Sequence, residues 1–263
     1  MTLRHEEFRD LHRPGAPLLL PNAWDHASAA ALAAAGFRAV GTTSLGVAAA
    51  AGLPDGVGGT RAETVRLARG LARLDVLVSV DIEGGFSDRP QDVAALAVEL
   101  AQAGVAGVNI EDGRPDGTLA DLDRQCAVIR AVKEATDGRL FVNARTDTHW
   151  LPGDHTAETE GRLRAYEQAG ADGLFVPGLR DVHVIAELAS ALDAPLNILY
   201  APGGPTLPEL AEAGVRRVSC GSLLFRAALH GALAAAEAVR QGTPLPGGIP
   251  SYADTQALSG SFS

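Results

Sequence analysis

Four similar segments decide the fold: AAAGFRAV at residues 33–40, AQAGVAGV at 101–108, EQAGADGL at 167–174 and AEAGVRRV at 211–218. Each carries a helical pattern through a glycine into an apolar run, and glycine is the residue that most often ends a helix. Such runs, rich in Val, Leu and Ile, lie at residues 18–22, 37–43, 76–82, 105–111, 140–145, 173–177, 196–200 and 217–220. These eight strand–helix units predict an α/β protein, a single (β/α)8 TIM-type barrel, rather than a doubly wound sheet, which commonly has fewer strands.

The barrel is predicted to form one catalytic domain over residues 1–241, because no linker interrupts the pattern before Gln241. An Ala-rich helix over residues 223–240 is followed by a C-terminal tail, residues 242–263, that is rich in Gly, Pro and Ser. We expect this helical extension and tail either to pack on a neighbouring subunit or to stay loose. Helix starts and stops are predicted at a capping box of Thr60 and Glu63, at Pro90, and at Gly36, Gly104, Gly170 and Gly214.

Composition argues against several classes of protein. No apolar stretch approaches the roughly 18 residues of a membrane span, and residues 1–15 lack the apolar core of a signal peptide. We therefore expect a soluble cytoplasmic protein that has no membrane partner. A net charge of −10 without a cluster of basic residues argues against a nucleic-acid partner. The single lysine, Lys133, lies within a helical pattern, which argues against Schiff-base chemistry.

Charged side chains collect at the ends of neighbouring predicted strands. Asp81 and Glu83 end the third apolar run, Glu111 and Asp112 end the fourth, and Arg145 ends the fifth. In a (β/α)8 barrel these strand ends meet at one face, where active sites lie. Two carboxylates about 4 Å apart repel each other by roughly 4 kcal/mol at a surface-like dielectric, which favours a cation between them. The pattern fits a hard divalent metal bound by oxygens, with Arg145 holding a substrate carboxylate bidentately.

The same residues also allow a purely structural interpretation. Asp112, Asp147 and Asn143 could cap helices or tie loops together, and Asp81 could cap the following helix while Glu83 is solvated. The residues alone leave both interpretations open.

Five pieces of sequence occur in a highly specific order: GTTSLG with GLPD (residues 41–46 and 52–55), VDIEGGFSD (80–88), NIED (109–112), NARTD (143–147) and LNIL (196–199). In this order and spacing they resemble the isocitrate lyase and phosphoenolpyruvate mutase superfamily across roughly residues 17–235. The resemblance implies an enzyme that uses Mg²⁺, or Mn²⁺ in its place. It implies that Asp81 is the direct metal ligand or the nearest carboxylate, and that metal-bound waters are held by Glu83, Glu111 and Asp55.

The resemblance also implies how a substrate is held. Backbone N–H groups of Ser44, Leu45 and Gly46 would cradle a substrate carboxylate, Arg145 would bind a carboxylate, and Asn197 would lie on the substrate side. A homotetramer or homodimer, with the C-terminal helix packed on a neighbour, is implied as well. The shared chemistry of the superfamily is cleavage of a bond at C3 of a small 2-oxo acid through a metal-stabilised enolate.

The loop after the fourth strand departs from the better-known branches of the superfamily. It reads GRPDGTL over residues 113–119 and lacks the cysteine motif of the isocitrate-type lyases. The chain also lacks the longer gating loop, with its Lys, Thr and Asn, through which the mutases handle a phosphoryl group. Because breaking a C–C bond beside an enolate needs few groups beyond the metal, we expect a lyase or decarboxylase of a small 2-oxo or 2-hydroxy dicarboxylate.

Other activities stay open at this point. They are a phosphoenolpyruvate mutase or phosphonopyruvate hydrolase, a C–C hydrolase of the oxaloacetate type, and a catalytically silent subunit that binds a dicarboxylate. The general acid or base is also unassigned: His149 and Asp112 are candidates, although His149 could equally be a surface residue of the loop THWLPGDH (148–155). Trp24, after the first strand, is expected to wall the pocket.

Overall fold

The structure is a computed structural model that describes residues 3–262. Its centre is a nearly closed barrel of parallel strands. The strands are β1 (Leu18–Leu20), β2 (Asn22–Ala23), β3 (Ala39–Thr42), β4 (Leu77–Asp81), β5 (Gly107–Glu111), β6 (Phe141–Arg145), β7 (Gly173–Val176), β8 (Leu196–Leu199) and β9 (Arg217–Ser219). The predicted TIM-type barrel is therefore confirmed.

The first predicted strand is split into two pieces at Pro21. β1 pairs with β9, placing Leu18 opposite Arg217, and β2 pairs with β3, placing Asn22 opposite Gly41. Proline has no N–H to donate to a neighbouring strand, but the Pro21 carbonyl accepts the Gly41 N–H at 2.8 Å. The split therefore turns one strand from one neighbour to the other, and it completes the ring of eight barrel positions with nine short strands.

Helices surround this ring. They are α1 (Arg4–Arg9), α2 (His26–Ala34), α3 (Ser44–Ala50), α4 (Arg61–Leu71), α5 (Pro90–Gln102), α6 (Leu122–Ala135), α7 (Thr159–Gln168), α8 (Val182–Ala191), α9 (Leu207–Glu212), α10 (Leu223–Gln241) and α11 (Tyr252–Ala257). Pro90 opens α5 as predicted. The four predicted glycine stops, Gly36, Gly104, Gly170 and Gly214, all have positive φ, the conformation in which a helix ends.

The predicted capping box at Thr60 is wrong. Thr60 does precede α4, but its side chain makes no cap hydrogen bond. Its hydroxyl instead donates to the Glu83 carboxylate at 2.8 Å, in the loop after β4. A long-range partner has displaced the local one, because the buried carboxylate needs a donor.

Apolar side chains fill two regions. The larger one lies between the strands and the helices, and the smaller one closes the N-terminal end of the barrel around Phe8, Leu20, Leu77 and Phe141. Phe8 comes from α1, so this helix seals the barrel floor.

The C-terminal helix α10 barely touches the barrel. Of its 19 residues only Phe225 and Ala238 are buried, whereas Leu229 and Leu233 on one face are 50% and 72% exposed. The tail returns to the same chain, where Phe262 lies against His26 of α2 with ring centroids 5.3 Å apart. No helix in the described part of the chain, α10 included, is long and apolar enough to cross a bilayer.

Candidate active site

A cavity of about 320 Å³, the central cavity, opens at the C-terminal ends of the strands. Six residues predicted from the sequence line it together: Ser44, Leu45, Asp55, Asp81, Glu111 and Arg145. Arg114 of the short loop also lines it. The sequence analysis did not single out Asn22, Trp150, Phe175 or Ser219, which also line it. Three of these four lie at or near a strand end, so their position was the available signal.

The carboxylates on one wall of the central cavity outnumber the positively charged groups beside them. Burial raises the pKa of Asp81, against the opposing charge of Arg145. Burial likewise raises the pKa of Glu111 to about 8, and the charges of Asp81 and Asp147 add to that effect. A cation at this wall would favour the ionised forms of both acids.

The donor atoms on this wall fit a hard cation, with water completing its coordination. Within residues 3–262, no group of three or more Asp, Glu, His or Cys side chains is arranged to hold an ion by itself. Mg²⁺ prefers oxygen ligands and commonly keeps several waters, using only one or two protein carboxylates. Asp81, Glu111 and Asp55 line the cavity and offer oxygen donors of this kind.

Arg145 faces this wall and is held by the protein's own acids. Its Nη1 lies 2.8 Å from Glu111 Oε2, and its Nε lies 2.6 Å from Asp147 Oδ1. Its guanidinium carbon also lies 5.9 Å from the Trp150 ring centre and 5.8 Å from that of Phe175. Burial opposes the charge, but the neighbouring carboxylates outweigh it and raise the pKa of Arg145.

These contacts change the expected role of Arg145 in substrate binding. A guanidinium has five N–H donors, and Nη2 makes no hydrogen bond to any described residue. The group is thus fixed on two sides and presents the remaining N–H groups to the cavity. A substrate carboxylate would therefore bind an arginine that is already fixed in position. Only some of the guanidinium's N–H donors would be free for that carboxylate.

Asp112 lies behind Arg145 as a brace. One carboxylate oxygen accepts from Tyr166 at 2.6 Å and from Thr146 at 2.8 Å, and the other accepts from the Asp147 N–H at 2.8 Å. Arg162 adds an ion pair at 3.4 Å, and Asp112 is 1% exposed. With both oxygens occupied, the geometry favours a positioning role over the predicted role in proton transfer.

The expected carboxylate cradle begins α3. Ser44 and Leu45 line the central cavity, and the first intrahelical bond is from Val47 N–H to the Thr43 carbonyl. The N–H groups of residues 44–46 therefore have no partner within the helix, as in any first turn. Gly46 itself packs away from the cavity: a Cβ there would lie 2.7 Å from Cβ of Trp24.

Trp24 supports this turn and does not line the central cavity. Its ring meets Phe225 edge-on, with centroids 5.4 Å apart. The close approach of Trp24 and Gly46 fixes the start of α3 against the end of β2. Only glycine fits at that contact.

Glu83 is placed next to the central cavity, and its carboxylate is already bound. One oxygen accepts from the Gly58 N–H at 2.9 Å and the other from Thr60 at 2.8 Å. Its backbone has φ of 50°, the left-handed region that non-glycine residues seldom occupy. These contacts tie the Gly58 loop to the strand end that carries Asp81.

Asn197 lies one layer below the cavity, in a polar network that crosses the barrel. Its amide bonds to Ser219, and Ser219 in turn accepts from Arg217 Nε at 3.2 Å. Arg217 Nη2 reaches Asn109 across the interior at 3.1 Å. Asn143 also donates to Asn109, at 2.9 Å.

Sequence reasoning missed Arg217. It is fully buried, has no carboxylate partner among the described residues, and leaves Nη1 without a hydrogen bond. Burial lowers the pKa of Arg217 to about 9. The available signal was strand alternation, because Arg217 and Ser219 share the inward face of β9.

His149 does not reach the central cavity. It lies in another cavity, beside Thr156, Leu179 and Arg180. The structure therefore separates this candidate acid or base from Asp81 and Arg145.

Comparison with known proteins agrees with this architecture. The family model described as phosphoenolpyruvate phosphomutase matches residues 8–240. An uncharacterised protein of Mycobacterium tuberculosis is 47% identical over 252 residues, 95% of each chain. An oxaloacetate decarboxylase of Pseudomonas putida is 34% identical over 239 residues, covering 84% of this chain and 80% of the other.

A solved structure shows the same fold at lower identity. The crystal structure of 2,3-dimethylmalate lyase superposes with a TM-score of 0.82 at 27% identity, covering 99% of this chain and 95% of the other. The family model and the relatives span nearly the whole barrel. The chain therefore belongs to the phosphoenolpyruvate mutase family, within the isocitrate lyase and phosphoenolpyruvate mutase superfamily, and is an enzyme of the lyase type found there.

Proposed function

We propose that the protein is a Mg²⁺-dependent carbon–carbon lyase or decarboxylase that acts on a small 2-oxo or 2-hydroxy dicarboxylate through an enolate. The observation that carries this proposal is the placement of Arg145 opposite Asp81 and Glu111 in one cavity. Names of relatives support the substrate class, since one is an oxaloacetate decarboxylase and another a 2,3-dimethylmalate lyase.

In this proposal the residues of the chain bind and orient the substrate, and they stabilise the charge that develops on it. The Arg145 N–H groups that face the cavity bind one substrate carboxylate, and the first-turn amides of α3 receive an adjacent oxygen. Trp150 and Phe175 keep the guanidinium from swinging away. A bound Mg²⁺ would supply Lewis-acid stabilisation of negative charge on the substrate oxygens. Because the donors are fixed before the reaction, little reorganisation is needed as charge develops.

The direct test measures pyruvate or a related 2-oxo acid released from oxaloacetate and from 3-substituted malates. We expect turnover with Mg²⁺ or Mn²⁺, loss of turnover in excess EDTA, and inhibition by oxalate, which mimics the enolate. Full activity in EDTA would refute the metal requirement. Interconversion of phosphoenolpyruvate and phosphonopyruvate followed by ³¹P NMR would show P–C chemistry instead, and oxalate binding without any turnover would indicate a silent subunit.

Product analysis separates cleavage by water from the other reactions. A C–C hydrolase would release oxalate and acetate from oxaloacetate, whereas a decarboxylase releases pyruvate and CO₂. Detection of oxalate as the product would therefore replace the present proposal.

We also propose that the protein forms a homodimer or homotetramer through α10. Leu229 and Leu233 lie one turn apart on an exposed face, and such apolar faces commonly mark interfaces. Light scattering should show a multiple of 27.1 kDa, and Leu233→Glu should shift the protein toward the single chain. A single-chain mass for the unmodified protein at micromolar concentration would refute this proposal.

A further inference from the structure

A second cavity, of about 370 Å³, adjoins the central cavity at the mouth of the barrel, and we call it the side cavity. The two cavities share Gly56, Glu111, Gly113 and Arg114 in their walls. Arg124 lines the side cavity only. A ligand in the central cavity could therefore extend past Arg114 toward Arg124.

The outer wall of the side cavity has an excess of positive charge. Arg124 Nη2 lies 2.5 Å from Asp88 Oδ1, and Arg114 Nη2 lies 3.4 Å from the same oxygen. Two guanidinium groups thus share one carboxylate. The Asp88 side chain is 78% exposed, so solvent competes for it, and both arginines keep N–H groups available for a second anion.

The acids on the inner wall have their own partners. Both oxygens of Glu83 accept hydrogen bonds, from Gly58 and Thr60. The Asp112 carboxylate is bound by Tyr166 and by the Asp147 N–H. Glu111, in the wall that the two cavities share, pairs with Arg145 at 2.8 Å. These three acids are therefore occupied, and they are not the partners of Arg114 and Arg124.

The backbone holds Arg114 in place. Residues 113–119 form a small hairpin in which Gly113 bridges Leu119, and the Arg114 N–H donates to the Thr118 carbonyl at 2.9 Å. At Gly113 a Cβ would lie 2.2 Å from the Asp147 carboxylate, so the hairpin packs directly against the partner of Arg145. The short loop is thus a fixed support that presents one guanidinium between the two cavities.

We propose that the side cavity binds a carboxylate that stays on the leaving fragment of the substrate, with Arg114 and Arg124 as its cationic partners. This inference rests on the proposed function and narrows it, because it distinguishes cleavage from decarboxylation. The preferred substrates would be 3-substituted malates, whose leaving fragment keeps its carboxylate.

The electron flow explains the distinction. In cleavage of a 3-substituted malate the C2 hydroxyl loses its proton, C2–O becomes a carbonyl, and the C2–C3 electron pair passes to C3. That charge spreads into the carboxylate attached to C3, where two arginines would stabilise it, until C3 takes up a proton; protons lost and gained balance. In decarboxylation the carboxylate becomes neutral CO₂, so cations held against it stabilise the ground state and oppose the reaction.

Calorimetry on the protein can test binding apart from catalysis. The protein is first saturated with Mg²⁺ and oxalate, and is then titrated with propionate, a mimic of the leaving fragment, or with propionamide, its neutral counterpart. We expect propionate to bind and propionamide not to bind. Arg124→Gln should weaken propionate binding about tenfold, the usual effect of losing a hydrogen bond to a charged group, while oxalate affinity is unchanged.

Arg89→Gln is the matched control, because Arg89 lies nearby, pairs with Asp92 at 3.9 Å, and lines neither cavity. It should leave propionate affinity unchanged. Equal binding of propionamide, or equal propionate affinity in Arg124→Gln and the unmodified protein, would overturn the side-cavity proposal while leaving the proposed function intact. Failure of oxalate to bind with Mg²⁺ would instead overturn the proposed function and this inference together.

Kinetics supply a second, independent measurement. Cleavage of a 3-alkylmalate should have a higher kcat/KM than decarboxylation of oxaloacetate, and Arg124→Gln should reduce that preference. A higher kcat/KM for oxaloacetate decarboxylation in the unmodified protein would overturn the inference.

Discussion

Two buried arginines in the same barrel have opposite surroundings. Arg145 lies at the mouth, paired with Glu111 and Asp147, and its pKa is raised. Arg217 lies one layer deeper, has only neutral hydrogen-bond partners in Asn109 and Ser219, and its pKa is lowered. Burial acts on both charges in the same direction, so the difference comes from the carboxylates alone.

Within one barrel, the two arginines serve different purposes: the one at the mouth suits ligand binding, and the one in the middle contributes to the packed interior. At the mouth, fixed charges of both signs surround open space, which is the arrangement that a charged ligand or transition state can use. In the middle, a single charge is enclosed by amides and hydroxyls and faces no cavity. We therefore expect substitution of Arg145 to affect catalysis most and substitution of Arg217 to affect folding most.

The largest expected effect is on catalysis at the mouth. Arg145→Lys should lower kcat/KM by at least about a hundredfold, because an ammonium cannot satisfy Glu111, Asp147 and a ligand in the geometry of a guanidinium. The circular dichroism spectrum should be unchanged, since the positive charge among the acids is kept. Steady-state kinetics and oxalate affinity measure the effect, with exposed Arg139→Lys as the control. Unchanged kinetics would remove Arg145 from the site.

The second prediction concerns stability in the middle of the barrel. Arg217→Ala should lower the free energy of unfolding by about 2–5 kcal/mol, the usual cost of a large buried truncation. Arg217→Met should cost clearly less, because it fills most of the volume and removes an unpaired buried charge. Urea unfolding of both variants measures the difference. Equal losses would show that the hydrogen bonds to Asn109 and Ser219, and not the volume, stabilise this layer.

The third prediction is a pH dependence at the barrel floor below Arg217. His12 is stacked on Phe141 at 4.6 Å, and burial, reinforced by the charge of Arg217, lowers its pKa from 6.5 to about 3. Between those two pH values the unfolded chain binds a proton that the folded chain refuses. The free energy of unfolding should therefore fall by about 1.4 kcal/mol per pH unit as the pH drops through this window.

Replacing His12 tests this dependence. Urea unfolding of His12→Leu between pH 7 and pH 4 should show a shallower decline than the unmodified protein. His183→Gln, at an exposed position, should leave the decline unchanged. An equally steep decline in His12→Leu would mean that other groups account for the acid sensitivity.

The smallest effect is expected at the brace behind Arg145. Tyr166→Phe removes the 2.6 Å hydrogen bond to Asp112 and should cost about 1.5–3 kcal/mol of stability, with kcat reduced only mildly. The pH profile of kcat should keep its shape, because a brace transfers no proton. A shifted profile would instead support the predicted acid–base role of Asp112. Exposed Tyr252→Phe is the matched control.

The architecture of this protein could be predicted from local sequence signals. Eight apolar runs alternating with helical patterns, and glycines such as Gly104 at the helix ends, are local signals that no distant contact needed to supply. The collection of Asp81, Glu111 and Arg145 at one mouth followed from strand order, since parallel barrel strands must end on the same face. Those residues do line one cavity.

How deeply each polar side chain is buried, and which groups it contacts, depends on the tertiary structure. The sequence pattern predicted Thr60 as a helix cap, yet its hydroxyl binds Glu83. Asp112 accepts a hydrogen bond from Tyr166, which lies far along the chain. Asn197 lies below the cavity, bonded to Ser219. Strand alternation predicts which side chains point inward, but it does not predict which groups they contact across the barrel. Arg217 illustrates the reason. Its pKa is lowered because burial is not offset by a carboxylate bound to it among the described residues, and its polar network is assembled from four different strands. The local sequence does not record that assembly.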